Sequence, residues 1–235
     1  MQQAQRVGFP HNKLERWKYA PLRALAGKSF ALNNEVEHSI DASQLPPAPR
    51  VVFINGRFHA GYSDTSALQG VTIQCLHDVL QSDDRRLNIL GRQFKDIEAP
   101  FSSLNTALAQ DGILIEVAEK STNETALHCV FISHGQSLSS HYARHLIACA
   151  EHSQFTLIEH HLSDGVDSTM SNHVWHVHVK PHAVLNHARM QKLDAQVFER
   201  LINMMKDNPW HLVIAGHAQK EEGGDPWTLS SQRAS

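Results

Sequence analysis

From Arg50 onward the chain breaks into short runs in which apolar and polar residues alternate: "RVVFING", "GVTIQCL", "DGILIEVAE", "ALHCVFIS", "RHLIACAE", "QFTLIEHHL", "HVWHVHVK" and "AVLNHARMQ". Alternation with period two puts every second side chain on one face, so each run predicts a β-strand. One segment departs from this. In "FSSLNTALAQD", Phe101, Leu104, Asn105 and Leu108 recur at i, i+3, i+4 and i+7, which predicts a helical insert over 101–110. Ahead of the strands, residues 8–32 read as a helical lead-in. Leu14, Trp17, Lys18, Leu22 and Leu25 fall at roughly helical spacing, between the breaker Gly8-Phe9-Pro10 and an interruption at Pro21. Ala42 to Arg50, with Pro46, Pro47 and Pro49, reads as a linker.

The strands also repeat. Sliding the chain by 29 residues lays "RHLIACAEHSQFTLIEHHL" (144–162) over "HVWHVHVKPHAVLNHARMQ" (173–191). Leu146, Ala148 and Ala150 then fall on Trp175, Val177 and Val179, and Phe155 on Val184. "DGILIEV" and "ALHCVFI" form a weaker earlier copy. A two-strand unit repeated at this length predicts stacked coils, a parallel β-helix. A sandwich of evenly spaced strands is the competing arrangement. After Asp194 the grammar changes: "DAQVFERLINMMKDN" is an amphipathic helix with Val197, Leu201, Met204 and Met205 on one face. "HLVIAGHA" allows one more strand, and the polar "QKEEGGDPWTLSSQRAS" predicts poor order. The expected division is 1–49 (helical segment and linker), 50–193 (coils) and 194–235 (helix and tail).

Composition narrows the function. A chain of 235 residues with 41% hydrophobic residues can bury a sizeable core. A formal charge of -3 argues against a nucleic-acid binder, which needs a basic face to neutralise phosphates. Three widely spaced cysteines (Cys75, Cys129, Cys149), without a CxxC and odd in number, argue against a disulfide framework and suit small buried hydrophobes. No signal peptide and no apolar run of about 18 residues is visible, so the expected location is cytoplasmic, away from membranes.

Candidate chemistry is sparse. "AGKS" (Ala26–Ser29) resembles the end of a phosphate-cradling loop, but Leu22 stands where the first glycine must be. His176 and His178 lie two apart on one strand face, with His173, His182, His187, Glu159, His160 and His161 nearby, which makes them candidate metal ligands. Against this, Trp175, Val177 and Val179 claim the buried face, and no third ligand has a recognisable offset. There is no G-x-S-x-G, and the acid pairs Asp83-Asp84 and Glu221-Glu222 read as solvated charge. Asn55-Gly56 is a strong hairpin-turn signal. Glu159, where "TLIE" leaves its coil, reads as a salt-bridge partner or a surface acid.

The opening stretch "GFPHNKLERWKYAPLRAL" resembles the G-[LF]-P-x-x-[KR]-x-E-x-W-[KR]-[YF]-[TS]-P-[LI] segment of the SufB/SufD family of iron–sulfur cluster assembly proteins. Gly8, Phe9, Pro10, Lys13, Glu15, Trp17, Lys18, Tyr19, Pro21 and Leu22 carry the match. "VVFINGRF" with Ser63, "FSSLNTALAQDGILIEV", "ARHLIACAEHSQFTLIEHH" and "HARMQ" are similar to later family segments in the same order. The SufD branch fits better, since nothing resembles SufB's longer, Cys-containing N-terminal region. The resemblance implies a right-handed parallel β-helix core with a short N-terminal helical segment. It implies a non-catalytic scaffold that pairs with a SufB-like subunit, the iron–sulfur cluster belonging to the complex and no cofactor to this chain. Gly8, Pro10, Glu15, Trp17, Lys18, Tyr19, Pro21, Asn55, Gly56, Asn105, Gly112 and Glu159 are then structural signature residues.

Family members are longer. Their later coils carry the SufB contact and a functional His, and a C-terminal helical domain carries the contact with the SufC ATPase. Residues after Asp194 resemble neither. The chain therefore reads as an N-terminal half: a fragment, a frameshifted product or a divergent short member, with the SufC contact not carried over. The alternative is a metal-dependent β-fold enzyme built on His176 and His178.

Overall fold

The computed structural model describes residues 27–32, 40–80, 100–134, 138–164 and 169–192. The chain divides into two units, residues 1–192 and 193–235. The second unit lies outside the described residues, and with it the helix and polar end expected after Asp194. Outside them too are residues 8–26 of the expected lead-in, with Gly8, Pro10, Glu15, Trp17, Lys18, Tyr19 and Pro21, and the Asp83–Arg86 stretch. The end of that lead-in, residues 27–32, is not helical but runs into a short strand at Ala31–Leu32 that pairs with Ser139 and Ser140.

The described part is mostly β. Its strands are β1 (Ala31–Leu32), β2 (Arg50–Ile54), β3 (Arg57–Phe58), β4 (Val71–Cys75), β5 (Ile113–Val117), β6 (Leu127–His134), β7 (Ser139–Cys149), β8 (Gln154–Asp164), β9 (Thr169–Val179) and β10 (Val184–Lys192). The helices are α1 (Leu76–Leu80) and α2 (Pro100–Leu108), the latter being the helical insert read from the sequence. One sheet holds β1, β4, β5, β7 and β9; the other runs β10-β8-β6-β2-β3. From β5 onward consecutive strands alternate between the sheets, and within each sheet they pair in parallel: β5–β7–β9 and β6–β8–β10. Antiparallel β4 on β5 and β3 on β2 finish the N-terminal side.

The repeat is 30 residues, not 29: Gln154 pairs with Val184 and Ser139 with Thr169. The correction has consequences, because a one-residue slip exchanges the faces of a strand. Trp175 stands opposite His145, Val177 opposite Ile147, and Leu185, not Val184, opposite Phe155. The pattern misled because β7 is buried on both faces. Ile147 and Cys149 point into the core between the sheets, while Leu146 packs outward with Val79 of α1 and Leu114. A strand apolar on both sides does not say which half faces in.

The core between the sheets is assembled from Val51, Phe53, Ile113, Ile115, Leu127, Phe131, Ile147, Phe155 and Leu157, with Cys129 and Cys149 buried among them. Trp175 joins it only partly, and Val177 and Val179, expected to be buried, are 50% and 39% exposed. They share Trp175's face, but β9 is an edge strand, paired on one side only among the described residues. On the outer face of the second sheet, Val52, Ile54, Val130 and Ile132 are covered by Ile40 and Leu45, ahead of β2, and by Tyr62, after β3.

One turn recurs at each return from the first sheet to the second. Ser121 N–H donates to Ala118, Ser153 N–H to Ala150 and Ala183 N–H to Lys180, at 3.2, 3.3 and 3.1 Å. Lys120, His152 and His182 each sit third in their turn with φ 58°. The turns stack: Lys120 N–H donates to Glu151 O at 3.0 Å, and the His152 and His182 rings lie 4.9 Å apart, 8° from parallel.

Candidate functional site

Where the interior turns polar, six side chains meet between the sheets. On β8, Phe155 and Leu157 face the core, so Glu159 and His161, next on the same face, do too. Parallel pairing places His187 opposite Leu157 and Arg189 opposite Glu159. From the facing sheet come His145 of β7 and His173 of β9.

Glu159 is 1% exposed, in the middle of its strand. The expected surface acid is therefore a core group, and the salt-bridge alternative is the one the structure takes. His161 Nε2 donates to its Oε2 at 2.9 Å, His187 Nε2 to its Oε1 at 2.6 Å, and Arg189 reaches both oxygens at 3.3 and 3.2 Å. Burial works to raise the Glu159 carboxyl. The hydrogen bonds from His161 and His187, with the charges of Arg189 and His187, outweigh it and hold the group below the usual carboxylate range.

The other histidines are kept neutral. Burial drives His145 down to about 3. Ile113 N–H donates to His145 Nδ1 at 3.3 Å, so the ring proton sits on Nε2 and is donated to His173 Nδ1 at 3.2 Å. His145 is stacked on Trp175 and edged by Phe53. His173 is also driven well down, by burial first and then by His145, His141 and His161. His141, 1% exposed, falls to about 4 through burial and the neighbouring His161. At neutral pH His141, His145 and His173 are thus uncharged beside the hydrogen-bonded Glu159 carboxylate. Groups titrating near 3 and 4 inside a packed core are poorly matched to proton transfer at pH 7. They suit a polar core that fixes which strands pair, and in which register.

Of the other expected signature positions, Asn55, Gly56, Asn105 and Gly112 lie among the described residues. Asn55 and Gly56 turn the β2–β3 hairpin with φ 51° and 79°, as the dipeptide predicts. Asn55 also accepts from His134 N–H at 2.9 Å. Asn105, 0% exposed, donates from Nδ2 to the carbonyls of Ala143 and Asn172, both at 2.9 Å, tying α2 across β7 and β9. A Cβ on Gly112 would lie 1.7 Å from Arg144 O, so no side chain fits there. Sequence reading passed over Asp111, which accepts from Gly112 N–H, Phe58 N–H and Cys75 Sγ at 2.7, 2.9 and 3.1 Å. Its signal was the Asp-Gly pair that opens β5. Burial, then Asp111, pushes the Cys75 thiol up to about 11, which leaves it unreactive.

His176 and His178 lie on the opposite face of β9 from Trp175. His176 Nε2 accepts from Arg144 Nε at 2.9 Å, which occupies a lone pair a metal would need. Among the described residues no three His, Cys, Asp or Glu side chains converge to hold a metal ion. Gly27, Lys28 and Ser29 are exposed and lead into β1, not into a helix. No helix among the described residues is long and apolar enough to cross a membrane.

Comparison with known proteins agrees with this architecture. Residues 1–129 match the family described as SufBD protein N-terminal region, and residues 131–205 match the SUF system FeS cluster assembly SufBD core domain. The chain is similar to the iron–sulfur cluster assembly protein SufD of Escherichia coli, 28% identical over 196 residues, which cover 81% of this chain and 44% of that protein. It is also similar to an iron–sulfur cluster assembly SufBD family protein of Synechocystis sp., 29% identical over 132 residues, 53% of this chain and 29% of that protein. The chain thus spans less than half the length of the curated relatives it matches.

Proposed function

The chain belongs to the SufB/SufD family of iron–sulfur cluster assembly proteins, and on that premise we propose that it is a non-catalytic scaffold subunit of a SufBCD-type assembly. The two alternating sheets are coils of a right-handed parallel β-helix, residues 50–193 forming its core. A SufB-like subunit is the partner, the cluster is the product of the assembled complex, and the cytoplasm is its setting.

The observation that carries this reading is the pair of open edges. Among the described residues β9 and β10 are each paired on one side only, and Val177, Val179 and Val184 are exposed there. An unpaired strand edge with apolar side chains is a template for further strands. The buried histidines His141, His145 and His173, kept uncharged by burial, support the same reading, because they build the interior without offering a group poised for proton transfer at pH 7. The metal-dependent enzyme on His176 and His178 has no observation in its favour, since Arg144 engages His176.

The test is co-expression with SufB-like and SufC-like subunits, followed by size-exclusion chromatography with metal analysis of the peak. Coelution with the SufB-like subunit is expected, and Val177→Lys, at an exposed position, should abolish it without unfolding the chain. A folded chain that never coelutes would overturn the proposal.

A further inference from the structure

We propose that His128 and His160 form a cross-strand chelate for one divalent metal ion of the copper(II)/nickel(II) class on the outer face of the second sheet. This site is separate from the interior cluster and does not depend on the scaffold reading. β6 and β8 pair in parallel, with His128 opposite Ile158 and His160 opposite Val130, so the two histidines are diagonal neighbours two residues apart in register. Both point away from the core, because Leu127, Cys129 and Leu157 on the alternate positions point into it. Both are partly exposed, so an ion has a route from solvent.

The nitrogens already face each other. His128 Nδ1 and His160 Nε2 are 2.9 Å apart, with the ring planes inclined at 47°. Two nitrogens at that separation, each about 2.0–2.1 Å from a metal, subtend about 90° at it. That is the angle between adjacent ligands in a square-planar or octahedral sphere, and it is too narrow for a tetrahedral one. Partial burial lowers the pKa of both rings, which favours the neutral form that binds metal. In the metal-free pair one nitrogen donates its proton to the other. On binding, that proton moves through solvent to the same ring's other nitrogen, and the rings turn so that the two lone pairs, directed along the N···N line in the hydrogen bond, converge on the ion; no net charge is lost. The nearest cationic side chain in register is Arg50, opposite His128, and its guanidinium is held by the carbonyls of Tyr62 and Pro46. Among the described residues no third His, Cys, Asp or Glu joins the pair, so water completes the sphere.

The test uses the full chain and Ni2+, which, unlike Cu2+, does not oxidise thiols. Histidines are modified with diethyl pyrocarbonate at rising NiCl2, and each modification is read by peptide mass spectrometry. His128 and His160 should be protected together, at lower Ni2+ than the stacked pair His152 and His182. In a parallel titration, His128→Asn and His160→Asn should each weaken the tightest Ni2+ equivalent by about tenfold or more, because either change removes the intramolecular second ligand. His178→Asn should not. Protection no stronger than at His152 and His182, or unchanged Ni2+ binding in both variants, would overturn the proposal.

Discussion

At Gly112 the sequence permits glycine alone. A Cβ there would sit 1.7 Å from Arg144 O, where Asp111 O accepts from Arg144 N–H at 2.9 Å and begins the β5–β7 pairing. Gly112→Ala should therefore force these strands apart and cost about 3 kcal/mol, read as a lower urea midpoint with the slope retained. An unchanged midpoint would mean the backbone yields without loss. The Asn55-Gly56 turn was legible because backbone geometry restricts residue choice locally; Gly112 entered only through the family resemblance, since the carbonyl that excludes a side chain there belongs to Arg144 on another strand. Glu159 was not legible. A carboxylate on a strand normally faces water, and what makes this one tolerable in the core, namely His161, His187 and Arg189, comes partly from another coil.

Among the elements, α2 shows how one side chain can seat a helix. Its single amide group, Asn105 Nδ2, reaches two carbonyls on neighbouring strands, and Asn172 Nδ2 returns a bond to Phe101 O at 2.9 Å. Asn105→Ala should leave those carbonyls without their donor and cost about 2 kcal/mol. Amide exchange of α2 should accelerate well before that of β7 if the effect is local; uniform acceleration would show that the helix is not an independent unit. Eight of the strands, β2 and β4 to β10, were found in sequence from their period, as was α2; β1 falls where a helix was expected. Their register was missed by one residue because β7 is apolar on both faces, and only the pairing of Ser139 with Thr169 fixes it. The recurring turn was hidden as well. Lys120, His152 and His182 adopt φ 58° without being glycine, at a cost of about 1–2 kcal/mol each. For Lys120 and His152 a backbone hydrogen bond to the next turn, to Glu151 O at 3.0 Å and to Pro181 O at 3.4 Å, offsets part of that cost.

For the whole described unit, the neutral histidine core predicts sensitivity to acid. His141 and His145 titrate near 4 and 3 when folded, against about 6.5 when unfolded. As pH falls below about 6.5 the unfolded chain takes up protons that the folded one refuses. Their stabilisation is complete above that pH and is lost on the way down, by at most about 1.4 kcal/mol per pH unit for each group. Glu159, whose folded pKa is depressed, keeps its contribution until the pH drops below about 4.3 and loses it as pH falls through the folded value. Between about pH 5 and 6 the slope of stability against pH therefore reports the histidines alone. His145→Phe, which keeps an aromatic ring against Phe53 and Trp175, should reduce that slope by up to about 1.4 kcal/mol per unit in pH-dependent urea titrations. An unaltered slope would mean that His145 is not protonated on unfolding in that range.

By itself, the sequence determined most of the strand content, the helical insert, the hairpin turn, a two-strand repeat and, through its ordered motifs, the SufB/SufD family. Each is written in neighbouring residues, where period and turn chemistry act over a few positions. Tertiary structure alone decided the 30-residue register, the burial of Glu159 among histidines, the binding of His176 by Arg144 and the meeting of His128 with His160. Those contacts mostly join residues about 30 positions apart, and which side chain meets which is settled only when the parallel strands pair in register.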